Sequence, residues 1–278
     1  MANQSSIEPA AGGAASAQPP SAAAAEPISL SIDGGVALAT LCRPPVNAID
    51  AAWVARLNEV LDQAEADERV RVLWIRSAQR VFCAGADLEF MRRCFASDDG
   101  RREMIELTRG MQQVYARIER SPVVSLAEIG GAALGGGFEL ALACDLRVVA
   151  DEARVGLPEA RLGLLAAAGG TQRMTRICGE SVSRRLILGA EVVQGADAVA
   201  LGLAQWRAPG AELHASAEAI VARIAELPRA ALREGKRCIG AALAPGLDGY
   251  AAELEGSGAL LELAETQDRV RRFLDRSA

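Results

Sequence analysis

Apolar positions recur along this chain with two periods, near 2 and near 3.6, and the switches between them divide it into elements. The stretch ISLSIDGGVALATLCRP, Ile28 to Pro44, alternates apolar and polar residues on both sides of Asp33-Gly34, a dipeptide that tolerates positive φ and so marks a hairpin. In AIDAAWVARLNEVLDQAEAD the apolar residues fall at helical spacing, and VRVLWIRS returns to a β-rich run bounded by charge. A second unit follows: a helix over about 101–120, the strand VVSLAEI after Pro122, then a glycine run and a helix reaching about Ala143. LRVVAD and ARVGLPEARLG read as short extended pieces. From about Ser181 the strand signal fades, and SVSRRLILGA, AELHASAEAIVARIAEL, RAALREGKRCIGAAL and LDGYAAELEGSGALLELAETQDRVRRFLDRS predict amphipathic helices. The order implies an α/β fold of repeated strand-strand-helix units over 27–205, with a helical region over 206–278 suited to oligomerisation.

Composition sharpens this outline at the N-terminus. Residues 1–26 are Ala, Ser, Pro and Gly with almost no large hydrophobe, too little apolar surface to offset ordering entropy, so a disordered tail is expected there. The 278 residues carry a net charge of −6, and half are hydrophobic, which suffices for a sizeable core. An acidic balance provides no footprint for nucleic acid or an anionic membrane. Lys236 is the single lysine, so nearly every cation is arginine, a compositional habit. The six cysteines, dispersed without a CxxC pair and several inside apolar runs, point to small buried hydrophobes in a reducing cytoplasm. No run approaches a membrane span, and the first positive side chain is Arg43, which excludes a basic signal or transit segment from the stretch before it.

The familiar catalytic kits are missing. His214 is the only histidine and lies in a polar stretch opening a helix, poorly suited to a triad or a multi-histidine metal site. No frame of GGAALGGGFEL places glycines as G-x-G-x-x-G, and no Walker A lysine exists. Glycines, backbone amides and carboxylates remain. The run Gly135-Gly136-Gly137 opens a helix carrying Glu139 in its first turn, where bare backbone admits a ligand and free amides face it, half of an oxyanion hole; a close-packed turn is the alternative reading. FCAGADLEFM, with Asp87 as N-cap, is a second such turn, which alone reads equally as a strand-to-helix loop. VGLPEARLG, where Pro158 precedes Glu159, reads alone as an extended segment.

Together these segments carry a resemblance. FCAGADLEFM, GGAALGGGFELALACDLRVVADEARVGLPEARLGLL, AAGGTQRMTRICG and, at Arg43 to Asp50, RPPVNAID resemble the enoyl-CoA hydratase/isomerase (crotonase) superfamily in order and spacing, from about Ile28 to the C-terminus. The resemblance implies a spiral of ββα repeats and a trimer or dimer of trimers built partly by the C-terminal helices. It implies that the amides of Ala86 and Gly136 hold the thioester oxygen of a coenzyme A substrate. In the hydratase-like branch Glu139 would activate water and Glu159 would donate a proton, so the implied reaction is hydration of an enoyl-CoA. Members that only isomerise a double bond keep the acid matching Glu159 and lose the one matching Glu139. Coenzyme A would lie along Arg43, Val46, Ala84, Asp87 and Leu88, with Leu134, Gly135 and Pro158 also lining the substrate. No separate cofactor and no metal are implied.

Other crotonase-type acyl-CoA chemistry, isomerisation included, is the near alternative, and a non-catalytic acyl-CoA-binding or RNA-binding member the distant one; the acidic charge and both glutamates argue against silence. Arg43 reads either as a phosphate partner or as a solvated loop residue. Three departures from the family pattern stand out. Leu165-Ala166-Ala167 replaces Ile-Pro-Gly, GADLEFM replaces a lysine-rich GADIKEM, and DRVRRFLDR lacks a typical Glu-Gly pair.

Overall fold

The computed structural model describes residues 26–244 and 246–277. The expected tail falls outside the described residues up to position 25, whereas Glu26 sits against the body of the protein, its carboxylate 2.8 Å from Arg56. Strands β1 (Ile28–Asp33) and β2 (Val36–Leu41) pair antiparallel, and Gly34 and Gly35 turn between them at φ of 54° and 83°, as the hairpin signal predicts. Helix α1 (Ala51–Ala66) begins where Asp50 accepts from the Trp53 amide at 2.8 Å, and it buries Trp53, Val54, Leu57, Val60, Leu61 and Ala64 at helical spacing. Then come β3 (Val72–Ser77), α2 (Leu88–Cys94), α3 (Asp98–Arg120), β4 (Val124–Ile129), the two-residue β5 (Ala133–Leu134), α4 (Gly136–Ala143) and β6 (Leu146–Ala150). The second half holds β7 (Arg154–Gly156), a 3-10 turn at Glu159–Leu162, α5 (Gly170–Leu188), β8 (Val192–Gln194), α6 (Gly195–Ala200) and β9 (Trp206–Ala208). Four helices follow: α7 (Gly210–Ala225), α8 (Arg229–Ala241), α9 (Gly249–Leu261) and α10 (Ala264–Ser277).

Six strands form one sheet in the order β1-β2-β3-β4-β6-β9, parallel except for the hairpin, and β5-β7-β8 form a small second sheet. Parallel strands are covered on both faces, which is why Val72, Leu73, Trp74 and Ile75 are all buried in succession. Trp53, Phe82, Tyr115 and Phe138 are the largest fully buried side chains. Helix α4 packs between α3 and α5 beside the small sheet, which carries the glycine run into the interior.

Three expectations need correction. The region after Ser181 is not purely helical: β8 and β9 lie there, three residues each, too short for an alternation to register. The boundary at 205 passes one residue ahead of β9, which pairs with β6, and α7 packs across β3, β4, β6 and β9, so the large sheet continues past it. Extended structure in ARVGLPEARLG ends at Gly156; Pro158, at φ −87° and ψ 18°, turns the chain so that Glu159 opens a 3-10 turn. Helix α5 is also two pieces, broken at Gly179 where φ is 78°.

Candidate active site

The segment after β3 is threaded between two others. The Phe82 amide donates to Ala132 O at 2.9 Å and the Leu134 amide to Cys83 O at 3.0 Å, stitching it to β5. On its other side Ala84 donates to Val46 O, Ile49 to Gly85 O and Asp87 to Ile49 O, at 2.9 to 3.1 Å. The Arg43–Asp50 loop that receives these bonds is pinned by buried Asn47, whose amide group donates to Ser77 Oγ and Phe82 O at 2.8 Å. These bonds engage the amides of Ala84 and Asp87 and leave that of Ala86. Likewise Gly135 donates to Gly156 O at 3.1 Å, while Gly136 opens α4. Neither the Ala86 nor the Gly136 amide has an acceptor among the described residues. The two lie close together, for a Cβ on Gly85 would sit 3.1 Å from Gly136 N. Two adjacent free donors, one at a helix start, are the arrangement that stabilises negative charge on an oxygen.

The glycine run is required by contact on every side. Gly135 takes φ of 53°, and a Cβ there would meet Glu159 Oε1 at 3.0 Å; a Cβ on Gly137 would run into Cys83 O. Glu139 is only 2 % exposed, and its Oε1 accepts from the Gly170 amide at 2.7 Å. Burial pushes its carboxyl up to about 7; the Gly170 amide opposes the rise, the charge of Glu159 adds to it, and Ala168 and Arg173 pull it back. Glu159 is half-buried and likewise raised by burial, and its Oε2 is buried without a partner. The site thus holds two carboxyls that burial raises above the usual carboxylate range, beside two free amides.

Comparison with known proteins assigns the chain. A family model described as enoyl-CoA hydratase/isomerase matches residues 31–275. The chain belongs to the enoyl-CoA hydratase/isomerase family. A Bacillus subtilis protein named "Probable enoyl-CoA hydratase" is 40% identical over 200 residues, which cover 72% of this chain and 76% of the relative. An Arabidopsis thaliana relative, "Probable enoyl-CoA hydratase 2, mitochondrial", is 36% identical over 209 residues, 74% of this chain and 68% of its own. Among solved structures, the enoyl-CoA hydratase from Bacillus anthracis superposes with a TM-score of 0.84 at 28% identity, covering 90% of this chain and 96% of that one. The fold is therefore the crotonase fold that the motifs imply.

Within this hydratase/isomerase fold the remaining site candidates divide. Ala84, Val46, Leu134 and Pro158 flank the two amides and Glu159 through the contacts above. Asp87 caps α2, accepting from the Glu89 and Phe90 amides at 2.9 Å, and Leu88 is 69% exposed. Arg43 is neither free nor merely solvated: it lies 2.7 Å from Asp50 and 3.6 Å from Asp87, so its charge is already partnered. His214 stands on α7 stacked on Trp74 with Nδ1 3.4 Å from Glu128, in contact with neither glutamate of the site. Burial pushes the Cys83 and Cys144 thiols up to about 12, which keeps them protonated. Among the described residues no cluster of His, Cys, Asp or Glu is arranged to hold a metal, and no helix is long and apolar enough to cross a membrane.

Several residues of the site carried no sequence signal. Gln112 and Tyr115 of α3 bond to Ala167 and Gly136, 55 and 21 positions away, and Glu119 bonds to Arg173, 54 positions away. The visible trace is a tyrosine and two polar residues beside the apolar stripe of α3, Leu107, Met111, Val114 and Ile118.

Proposed function

We propose that this protein adds water across the 2,3 double bond of an enoyl-CoA thioester. The observation that carries the reading is the meeting of two carboxyls raised by burial, Glu139 and Glu159, with the two unengaged amides of Ala86 and Gly136. The amides receive the thioester oxygen, and polarisation toward the enolate shifts charge onto it, for roughly 3 to 4 kcal/mol per donor at the transition state. Glu139 takes a proton from water as its oxygen bonds to Cβ, and Glu159 delivers a proton to Cα, so that one water is consumed without change in oxidation state. A carboxyl raised to about 7 is divided between base and acid forms at neutral pH, which suits such exchange. No redox or group-carrying cofactor is needed; coenzyme A arrives with the substrate.

The presence of both glutamates favours hydration over double-bond isomerisation, which one acid-base group can perform. Coenzyme A would run past Val46, Ala84 and Leu88, and the exposed side chains of Leu162, Leu164 and Leu165 after Glu159 offer the acyl chain an apolar wall. A homo-oligomer, a trimer or a dimer of trimers, fits the C-terminal helices. Helix α9 buries only Gly256, leaving Tyr250, Leu254 and Leu261 exposed beside Ile239 and Leu243 of α8, more apolar surface than a solitary chain keeps. A cytoplasmic setting accords with six free cysteines.

The test is loss of the conjugated enoyl thioester absorbance with crotonyl-CoA, then with longer and branched enoyl-CoAs, and recovery of the 3-hydroxyacyl product. Turnover supports hydration. Tight binding without turnover, or migration of the double bond without added water, would replace it with the silent or the isomerase reading.

A further inference from the structure

One face of α3 touches the site at points that the acid-base chemistry does not use. Gln112, Tyr115 and Glu119 stand three and four residues apart, which stacks them along one side of the helix. The Tyr115 hydroxyl donates to Gly136 O at 2.9 Å, at the start of α4. Gln112 Nε2 donates to Ala167 O at 2.6 Å. Glu119 Oε2 accepts from Arg173 Nη2 at 2.6 Å, and Nη1 of the same guanidinium donates to Ala168 O at 2.9 Å. The Arg173 side chain is 6% exposed, so this charge-assisted pair is shielded from solvent on the Arg173 side. The segment held in this way, 167–170, supplies the Gly170 amide that donates to Glu139 Oε1 at 2.7 Å.

That segment has little stiffness of its own. It reads Leu165-Ala166-Ala167-Ala168-Gly169-Gly170, without proline, and Gly169 stands at φ 104°. Rigid placement of its amides must come from side chains that grip its carbonyls. We propose that Glu119, acting through Arg173 and its grip on Ala168 O, is a positioning residue that holds the Gly170 amide against the Glu139 carboxylate. The inference rests on the hydratase reading. The charged or titratable groups facing Glu139 are Glu159 from the 3-10 turn, Arg173 from α5 and the Tyr115 phenol from α3.

The experiment compares Glu119→Leu with Glu119→Gln in the full chain, reading kcat, KM, Tm and the pH profile of kcat/KM on whichever enoyl-CoA the wild type hydrates. Gln keeps an acceptor for Arg173, and its rate and profile should stay within about threefold of wild type. Leu removes the acceptor. It should lower kcat about tenfold with KM within about twofold, short of the roughly 100-fold that a 1 Å misplacement can cost. It should also move the acid limb of the profile to higher pH, because the carboxylate of Glu139 loses the amide bond that favours it. A purely through-space effect gives a different pattern: both variants delete the same negative charge, leave Arg173 unopposed and move the limb to lower pH alike, which would overturn the proposal. A Leu variant with a lower Tm and an unmoved profile would also overturn it, as a merely structural role. Should Glu119→Leu fail to fold, Arg173→Lys keeps the charge but loses the two-armed grip, and the same alkaline shift is expected. Loss of any hydration by the wild type would instead defeat the underlying reading, an outcome distinct from all of these.

Discussion

Gly85 offers the sharpest separation of folding from chemistry. It stands at φ 93°, and a Cβ on it would lie 3.1 Å from both Gly136 N and Leu134 O, inside ordinary van der Waals contact. Gly85→Ala therefore does two things. It forces an L-residue into the left-handed region, at about 1–2 kcal/mol, and it sets a methyl carbon against the amide proposed to receive the thioester oxygen. Gly202 isolates the first effect, since it sits at φ 77° with nothing within 4 Å of a Cβ. Both variants should lose roughly 2 to 8 °C in Tm, given about 2–4 °C per kcal/mol for domains near this size. Only Gly85→Ala should lose activity, by about 100- to 1000-fold in kcat, the effect of removing one oxyanion donor. Thermal melts and initial rates on an enoyl-CoA read the two effects separately. If Gly85→Ala keeps kcat within about threefold of Gly202→Ala, the Gly136 amide is not serving the reaction, and the reasoning fails.

Two further predictions follow from buried charge. Because the Glu139 carboxyl is raised from 4.5 to about 7 in the folded chain, the folded state holds a proton that the unfolded state releases, and stability declines as pH rises from about 4.5 to about 7. Glu139→Gln keeps an acceptor for the Gly170 amide and removes this loss, so its Tm should exceed that of the wild type at pH 8 by the equivalent of up to about 3 kcal/mol, with the gap closing toward pH 5. Lys236 donates to Ile118 O and Val123 O and pairs with Asp145 at 2.8 Å, fastening α8 to the α3–β4 connection. Lys236→Met should destabilise by roughly 2–3 kcal/mol in denaturant titrations, leaving kcat within about threefold because neither glutamate of the site is among its partners.

The legible parts of this protein are those whose cause is local. The hairpin shows in Asp33-Gly34, α1 in its apolar spacing, and the cap of α2 in Asp87, because each depends on residues within a turn of one another. The site showed through the resemblance that the glycine run and the segments around Asp87 and Glu159 carry together, since the glycine run alone reads equally as a close-packed turn. What escaped is set by distant contact. Glu119 carries no local signal, and only the fold sets it against Arg173, 54 positions later in the chain. Arg43 reads as a phosphate partner or a solvated loop residue until the fold sets Asp50 and Asp87 against it. β8 and β9 are strands because neighbours accept their hydrogen bonds, and three residues carry no period of their own.

The most direct test of the central claim, that Glu139 and Glu159 act together as acid and base beside the two amides, compares wild type with Glu139→Gln and Glu159→Gln for both turnover and affinity. Each neutral variant should fall at least about 100-fold in kcat on the enoyl-CoA that the wild type hydrates. Calorimetric binding of a non-reactive acyl-CoA should stay within about threefold, since the amides and the coenzyme A path are intact. Either variant retaining kcat within about threefold of wild type would show that its carboxyl is not part of the chemistry, and the account would be contradicted at its centre.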